Sequence, residues 1–330
     1  MKKNKFALHL YISIVAILIS LTAYSQKESS KPNTDWFKDL KYGIFFHFLP
    51  SGPNFQKDID NFDVDVFAND CYDTGAGYVF ITLGQNSGYY ISPNSVYDKY
   101  AGVKPGERCS KRDLPFEIGK ALKKKGIKLM LYIPGDAPAQ DSIIAKKLGA
   151  KNFVRNENGE NWVYNELLIK RWGEVAQEWS DRYGSLVSGW WVDGCYAKSG
   201  FTNEFGQKFI KNLKHGNPNS IVALNSGLNY DRVSDNQDFL AGEEREILGA
   251  KCTSQWKNGA QWHQLSFLGK DWGTGNPSCT AQQLIDYLKN NIIPNGGVLT
   301  LDLPFDPEYS GIHINKTHIE LLKEVKAAIR

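Results

Sequence analysis

The chain has 330 residues, 42% of them hydrophobic and 23% charged, with a formal charge of +3. That balance suits one large globular domain or two small ones. It is too apolar for intrinsic disorder and too nearly neutral to hold a polyanion such as nucleic acid through its overall field.

The first segment in chain order reads as a leader. Lys2, Lys3 and Lys5 precede a long apolar run that ends in Ala23-Tyr24-Ser25, the charge, apolar stretch and small residues of a secretory signal. Cleavage after Ser25 removes three lysines and no acid, which neutralises the formal charge. Residues 1–25 are therefore expected to be a signal peptide and the mature chain to be exported, periplasmic or secreted. No later segment is long and apolar enough to hold it in a bilayer. No cysteine follows the run to carry a lipid anchor. Residues 26–34 are polar and read as a disordered lead-in.

From residue 35, short apolar runs alternate with helical patterns. The runs are KYGIFFHFLP, GYVFITLG, IKLMLYIPG, SGWWVDG, SIVALNSG, FLAGEE, WHQLSFLG and GGVLTLDLP. The helical patterns include LPFEIGKALKKKG, stopping at Gly126, and NELLIKRWGEVAQEWSDRYG, stopping at Gly184. TNEFGQKFIKNLKHG runs from a Thr cap to Gly216, and SCTAQQLIDYLKNNI and NKTHIELLKEVKAAI cover the end. Periodicity does not place the crossovers after the second and seventh runs. Strands buried on both faces and alternating with helices imply a parallel sheet. Eight such units over residues 35–330 predict an α/β single domain, a (β/α)8 TIM-like barrel. The alternative, an open doubly wound sheet, normally carries a Gly-rich phosphate loop, and no Gly-x-Gly-x-x-Gly or Walker sequence occurs. Five cysteines, at 71, 109, 195, 252 and 279, form no Cys-x-x-Cys pair, which argues against structural zinc and leaves room for one or two disulfides.

A barrel presents its reacting groups at the C-terminal ends of its strands. Those ends carry His47; Thr82, Gln85 and Asn86; Asp136; Asp193; Asn225 and Ser226; Glu243 and Glu244; and Asp302. The chemistry such a ring suits is glycoside hydrolysis, which sets one ionised and one protonated carboxyl about a scissile bond. Asp193, fixed on a strand among aromatic walls, suits the ionised role. Glu243 or Glu244 suits the acid, because partial burial raises a carboxyl's pKa. Taken singly, each residue also has a plainer reading. Asp193-Gly194 is a common turn pair, the EERE run is a common solvated loop, and His47 fits a core histidine. The six histidines, at 9, 47, 215, 263, 313 and 318, show no paired ligand spacing, so neither metal nor cofactor is expected.

The order of the motifs adds a resemblance. WFKDLKYGIFFHFLPSG is similar to the opening of the glycoside hydrolase family 29 α-L-fucosidases, with their Trp, Phe-Gly-Ile-Phe-type strand and His. DTGAGYVFITL, RDLPFEIGKALKKKGIKLMLYI, WWVDG and NIIPNGGVLTLDLPFDPEYSGI resemble, in the same order, that family's second strand, its helix and third strand, its Trp-Phe-Asp-Gly and its last strand. The likeness spans residues 35–330. It implies Asp193 as nucleophile of a retaining mechanism and His47 as a ligand of sugar hydroxyls. Glu243 is favoured as acid/base, with Glu244 its rival. Two features depart from the family. Gly84-Gln85-Asn86-Ser87-Gly88-Tyr89 stands where Lys-His-His-Asp-Gly-Phe is usual, and the chain ends on a helix without the frequent C-terminal β-sandwich.

The resulting expectation is an exported exo-glycosidase, most like an α-L-fucosidase, acting on an oligosaccharide or glycoconjugate. Catalysis would fall to Asp193 with Glu243 or Glu244. Sugar binding would fall to His47, Thr82, Gln85, Asn86, Asp136, Trp191, Asn225, Trp256 and Trp262. The last two tryptophans follow the acid in a loop-rich stretch; Trp36, Trp190 and Trp272 are further aromatic candidates, and only one of Trp190 and Trp191 can face a barrel interior. The alternatives are a non-catalytic carbohydrate-binding protein on the same scaffold and a glycosidase for another sugar, such as a galactoside.

Overall fold

The computed structural model describes residues 32–151, 153–156, 159–306 and 313–329. The expected signal peptide (residues 1–25) and most of the expected lead-in lie outside the described residues. Thr34, at the end of that lead-in, is fully buried and its hydroxyl faces the Gln261 side chain.

Seven strands form one parallel sheet: β1 (Tyr42–Phe46), β2 (Tyr78–Thr82), β3 (Lys128–Pro134), β4 (Val187–Asp193), β5 (Ile221–Leu224), β6 (His263–Phe267) and β7 (Val298–Asp302). Their order is β6-β7-β1-β2-β3-β4-β5. The sixth predicted run does not make a regular strand. Residues 238–244 nevertheless bridge the two free edges. Asp238 N–H donates to Val222 O at 2.9 Å, Leu240 N–H to Gln261 O at 3.0 Å, and Leu265 N–H to Gly242 O at 2.9 Å. The sheet is thus closed into a (β/α)8 barrel whose sixth stave is irregular. Gly242 explains the irregularity: its φ is +59°, and a Cβ there would sit 1.8 Å from His263 O. Only glycine lets the backbone pass that close before turning Glu243 inward.

Strand alternation sorts the apolar residues into two layers. Phe45, Tyr78, Phe80, Met130, Tyr132, Trp191, Ala223, Phe239 and Leu265 fill the barrel interior, while Ile44, Phe46, Val79, Ile81, Leu131 and Trp190 face the helices. Of the two adjacent tryptophans, Trp191 is therefore the inward one. A short helix, α1 (Asp35–Asp39), stops the N-terminal end of the barrel with Phe37, whose ring lies 4.8 Å from Tyr78 and 5.0 Å from Phe239. A fully buried aromatic of this kind contributes roughly 1.5–3 kcal/mol through removal from water.

The helices form where their caps and periodicity predict. Leu114–Lys124 begins on the Asp113 side chain, and Gly126 takes a positive φ just beyond its end. Glu166–Tyr183 is capped by Asn165, and Asn203–Leu213 by Thr202. Besides α1, the helices Phe55–Asp60, Val64–Thr74, Ser95–Ala101 and Ser142–Lys147 are additional to the predicted set. Val64–Thr74 starts on Asp63 and buries only Phe67, Ala68, Cys71 and Thr74, a one-sided stripe that its many acids obscure. The five cysteines are all free, four of them buried, so the room for disulfides goes unused.

Candidate active site

The C-terminal strand ends enclose a cavity of about 200 Å³ lined by Phe45, His47, Gln85, Tyr132, Trp191, Asp193, Glu243, Leu265 and Trp272. Its walls come from six different staves and one loop. That follows from closing a sheet whose last inward residues are polar or aromatic.

Asp193 and Glu243 meet here through a single amide. Asn225 Nδ2 donates to Asp193 Oδ1 at 2.9 Å and to Glu243 Oε2 at 2.6 Å. Two bonds of those lengths from one nitrogen hold the oxygens within their sum, 5.5 Å, of each other. The Asp193 carboxylate is fixed from both sides. Gly194 N–H donates to Oδ1 at 2.8 Å, and the Tyr132 hydroxyl donates to Oδ2 at 2.6 Å. Tyr132 is itself stacked on Trp191, at 5.4 Å and 18°, and accepts a hydrogen bond from Gln85 Nε2 at 2.9 Å. Trp191 is held in turn by its indole N–H on Ala241 O at 3.2 Å.

The two carboxyls differ in environment. Burial first, and the Asp193 charge second, push the Glu243 carboxyl up to about 7; the Asn225 bond, Arg245 and His47 pull the other way. Glu243 thus carries a proton near neutral pH while Asp193 is met by three donors, the separation of roles an acid and a nucleophile require. Opposite them, His47 Nδ1 lies 3.0 Å from Asp302 Oδ1, and the other Asp302 oxygen takes the Gly273 N–H. Asp302 is fully buried, so it fixes both the His47 ring and the loop that carries Trp272. Among the described residues, no three His, Cys, Asp or Glu side chains are grouped to hold a metal ion.

Residues 50–327 match the family described as Alpha-L-fucosidase. The chain belongs to the α-L-fucosidase family. No curated protein matches it. Its fold is shared with the endo-fucoidan hydrolase P5AFcnA from glycoside hydrolase family 107, at 15% identity and a TM-score of 0.67 over 89% of this chain and 92% of that one. The α-L-fucosidase of glycoside hydrolase family 29 from Bacteroides thetaiotaomicron is similar at 14% identity and a TM-score of 0.60, over 90% of this chain and 73% of that one. The endo-fucoidan hydrolase MfFcnA4 gives 14% identity and a TM-score of 0.66 over 89% of this chain. This chain spans only about half of that enzyme's length, 53%.

Within this α-L-fucosidase-family barrel the expected site residues separate. His47, Gln85, Trp191, Asp193 and Glu243 line the cavity. Glu244 does not; its Oε1 takes the Arg245 N–H at 2.9 Å, outside the cavity wall. Successive residues on an extended stave point to opposite sides, which places Glu243 and not Glu244 on the cavity wall. Thr82 is fully buried and its hydroxyl both donates to Phe48 O at 2.7 Å and accepts from Phe48 N–H at 2.9 Å, tying β2 to the end of β1. Asn86 lies off the cavity wall, its carbonyl accepting from Gln140 N–H. Asn225 is engaged by the two carboxyls and by Gly227 N–H. Trp256 and Trp262 are at the wrong end. They precede β6, so they sit at its N-terminal side, where Trp262 stacks on Tyr230 at 5.5 Å. Two more residues line the cavity: Tyr132, the inward residue two before Pro134, which the sequence reading did not single out, and Trp272, one of the further aromatic candidates, whose ring stands edge-on 5.9 Å from His47.

Asp136 is placed behind Asp193, not on the cavity wall. It is 2% exposed, and its Oδ2 has no hydrogen-bond partner among the described residues. Burial, then the Asp193 charge, push its carboxyl up to about 8. The folded state therefore favours the neutral acid. The stability linked to this group is full below the unfolded carboxyl pKa near ~4 and is lost as pH rises toward about 8. Asp136→Asn is expected to flatten the fall of Tm between pH 4 and 8 and to raise Tm at pH 8. A wild-type and variant difference that does not grow with pH would contradict this.

Proposed function

We propose that the protein is an exported, retaining exo-glycosidase that removes a terminal α-L-fucosyl group from an oligosaccharide or glycoconjugate. The observation that carries the reading is the Asn225 bridge, because a separation within 5.5 Å fits the ~5–5.5 Å of retaining pairs and not the ~6.5–9.5 Å of inverting ones. In the first step an Asp193 oxygen bonds to the anomeric carbon as the glycosidic C–O bond breaks, and the Glu243 proton passes to the leaving oxygen. In the second, the Glu243 carboxylate takes a proton from water, whose oxygen displaces Asp193 and regenerates the free acid. Tyr132 and Gly194 hold Asp193 in line throughout.

Two further features support the substrate. A cavity of about 200 Å³ is below the roughly 300–1,000 Å³ of drug-sized sites and suits one sugar ring. Phe45, Leu265, Trp191 and Trp272 give it apolar surface that matches the methyl group of a 6-deoxy sugar. A galactoside would bring a hydroxyl to that surface and lose its hydration there. The test is proton NMR of the first product from 4-nitrophenyl α-L-fucoside, alongside a panel of nitrophenyl glycosides. The α-anomer of fucose should appear before mutarotation, with the fucoside preferred. First appearance of the β-anomer, or turnover of an α-galactoside alone, would overturn the reading.

Export is supported by the lysine-flanked apolar segment and the small residues before Gln26. Mass spectrometry of the protein recovered outside the cytoplasm should find an N-terminus at Gln26; an intact Met1 there would refute cleavage.

A further inference from the structure

Two segments leave the catalytic cavity side by side. Glu243 and Leu265 pair side by side on neighbouring staves, and both line the cavity. Two residues further along each segment, Arg245 and Phe267 line a second, larger cavity of about 550 Å³, together with Ile247, Leu248, Lys270 and Ser278. The second cavity is therefore a groove adjacent to the first along both segments. The Phe267 ring stands edge-on to Trp272 at 5.2 Å, and Trp272 belongs to the catalytic wall. The groove opens on the side of Glu243, the group that gives its proton to the departing oxygen. Whatever the sugar is attached to must leave past that proton, and so into this groove.

Its size and charge say what it holds. Against about 200 Å³ for one ring, about 550 Å³ leaves room for roughly two more, enough for a glycan leaving group. Arg245 has one ion pair, with Asp271 at 4.0 Å, both side chains being more than half exposed. The Lys270 ammonium is exposed and forms no ion pair among the described residues. Glu246 is the lone acid on the lining, against two cations. An isolated surface cation is usually only solvated. Two of them flanking one polar groove at the leaving-group side of a catalytic acid make a selective field.

We propose that this groove binds the leaving-group glycan and selects one carrying an anionic sugar, a uronate carboxylate or a sulfate ester, through Arg245 and Lys270. The proposal rests on Asp193 and Glu243 being the glycosidase pair. Two exposed cations within a few ångströms of one anion favour it by roughly tenfold in low salt, and added salt screens that preference.

The experiment measures kcat/KM for three fucosylated trisaccharides that share a fucosyl linkage and differ in one leaving-group sugar: neutral, uronate or sulfated. The readout is the anionic-to-neutral ratio within each protein, so effects common to all substrates cancel. Wild type should show a ratio of about 10 in low salt that falls toward unity in 0.5 M NaCl. Lys270→Glu should bring the ratio below unity, and Arg245→Gln should give an intermediate value. The uronate and sulfate arms identify which anion is selected. A wild-type ratio near unity, or a ratio that Lys270→Glu leaves unchanged, overturns the proposal while the glycosidase reading stands. Failure to release fucose from any trisaccharide or from 4-nitrophenyl α-L-fucoside overturns the glycosidase reading and the groove's assignment with it.

Discussion

Asp193→Ala is expected to lower kcat/KM for 4-nitrophenyl α-L-fucoside by about 10⁴-fold or more while leaving the fold intact. Asp193 ends a strand and its carboxyl makes hydrogen bonds but no apolar core contact, so its loss removes the attacking oxygen and three hydrogen bonds while the apolar core stays filled. The truncated side chain leaves space beside the anomeric carbon. Sodium azide in that space should restore part of the rate and give β-fucosyl azide, because the small anion attacks from the face Asp193 used. Recovery of the product as α-fucosyl azide, or an Asp193→Ala enzyme within tenfold of wild type, would remove Asp193 from the nucleophile's role. Asn225 makes a companion test. Without its amide, Asp193 and Glu243 lose the donor common to both, so Asn225→Ala should depress kcat more than it raises KM.

Glu243→Gln should show an effect that depends on the leaving group. A disaccharide alkoxide needs a proton to depart, and general acid catalysis contributes about 10²–10⁴-fold. A dinitrophenolate needs almost none. The variant should therefore lose about 10³-fold in kcat/KM on a fucosyl disaccharide and about tenfold or less on 2,4-dinitrophenyl fucoside. Glutamine cannot activate water in the second step, so the aryl substrate should give a burst followed by a slow steady state. The pH profile is a second signature. With the Glu243 carboxyl pushed up to about 7, its proton is present below that pH and lost above it, so wild-type kcat/KM on a disaccharide falls as pH rises past about 7. That limb should vanish in Glu243→Gln and persist in Glu244→Gln. Equal losses on both classes of leaving group would reject Glu243 as the acid.

Much of this architecture is legible in the residues because barrel strands are apolar on both faces and end on the groups that work. WWVDG announces both a buried strand and its functional end. Parity then separates Trp190 from Trp191 and Glu243 from Glu244, although a choice of phase is needed to use it. The failures have physical causes. Thr82 has the parity of an inward residue, yet its hydroxyl is captured by the Phe48 backbone, which no pattern along the chain foretells. Trp256 and Trp262 follow the acid in sequence, but the chain descends to the far end of the barrel before β6 rises again. Tyr132 was hidden in a run that reads simply as hydrophobic, because a tyrosine serves equally as core and as donor. The sixth stave was recognised by its apolar residues, while its irregular path depends on the single contact between Gly242 and His263.

The aromatic stopper at the foot of the barrel bears on how the chain is born. Phe37 emerges early in synthesis, yet the rings it rests against include Phe239 and His263, which emerge late. Until then Trp36 and Phe37 form a sticky apolar handle with nowhere native to dock. The plug is therefore among the last parts of the core to seat, once the sixth and seventh staves have been made, and a holding chaperone would find its grip there.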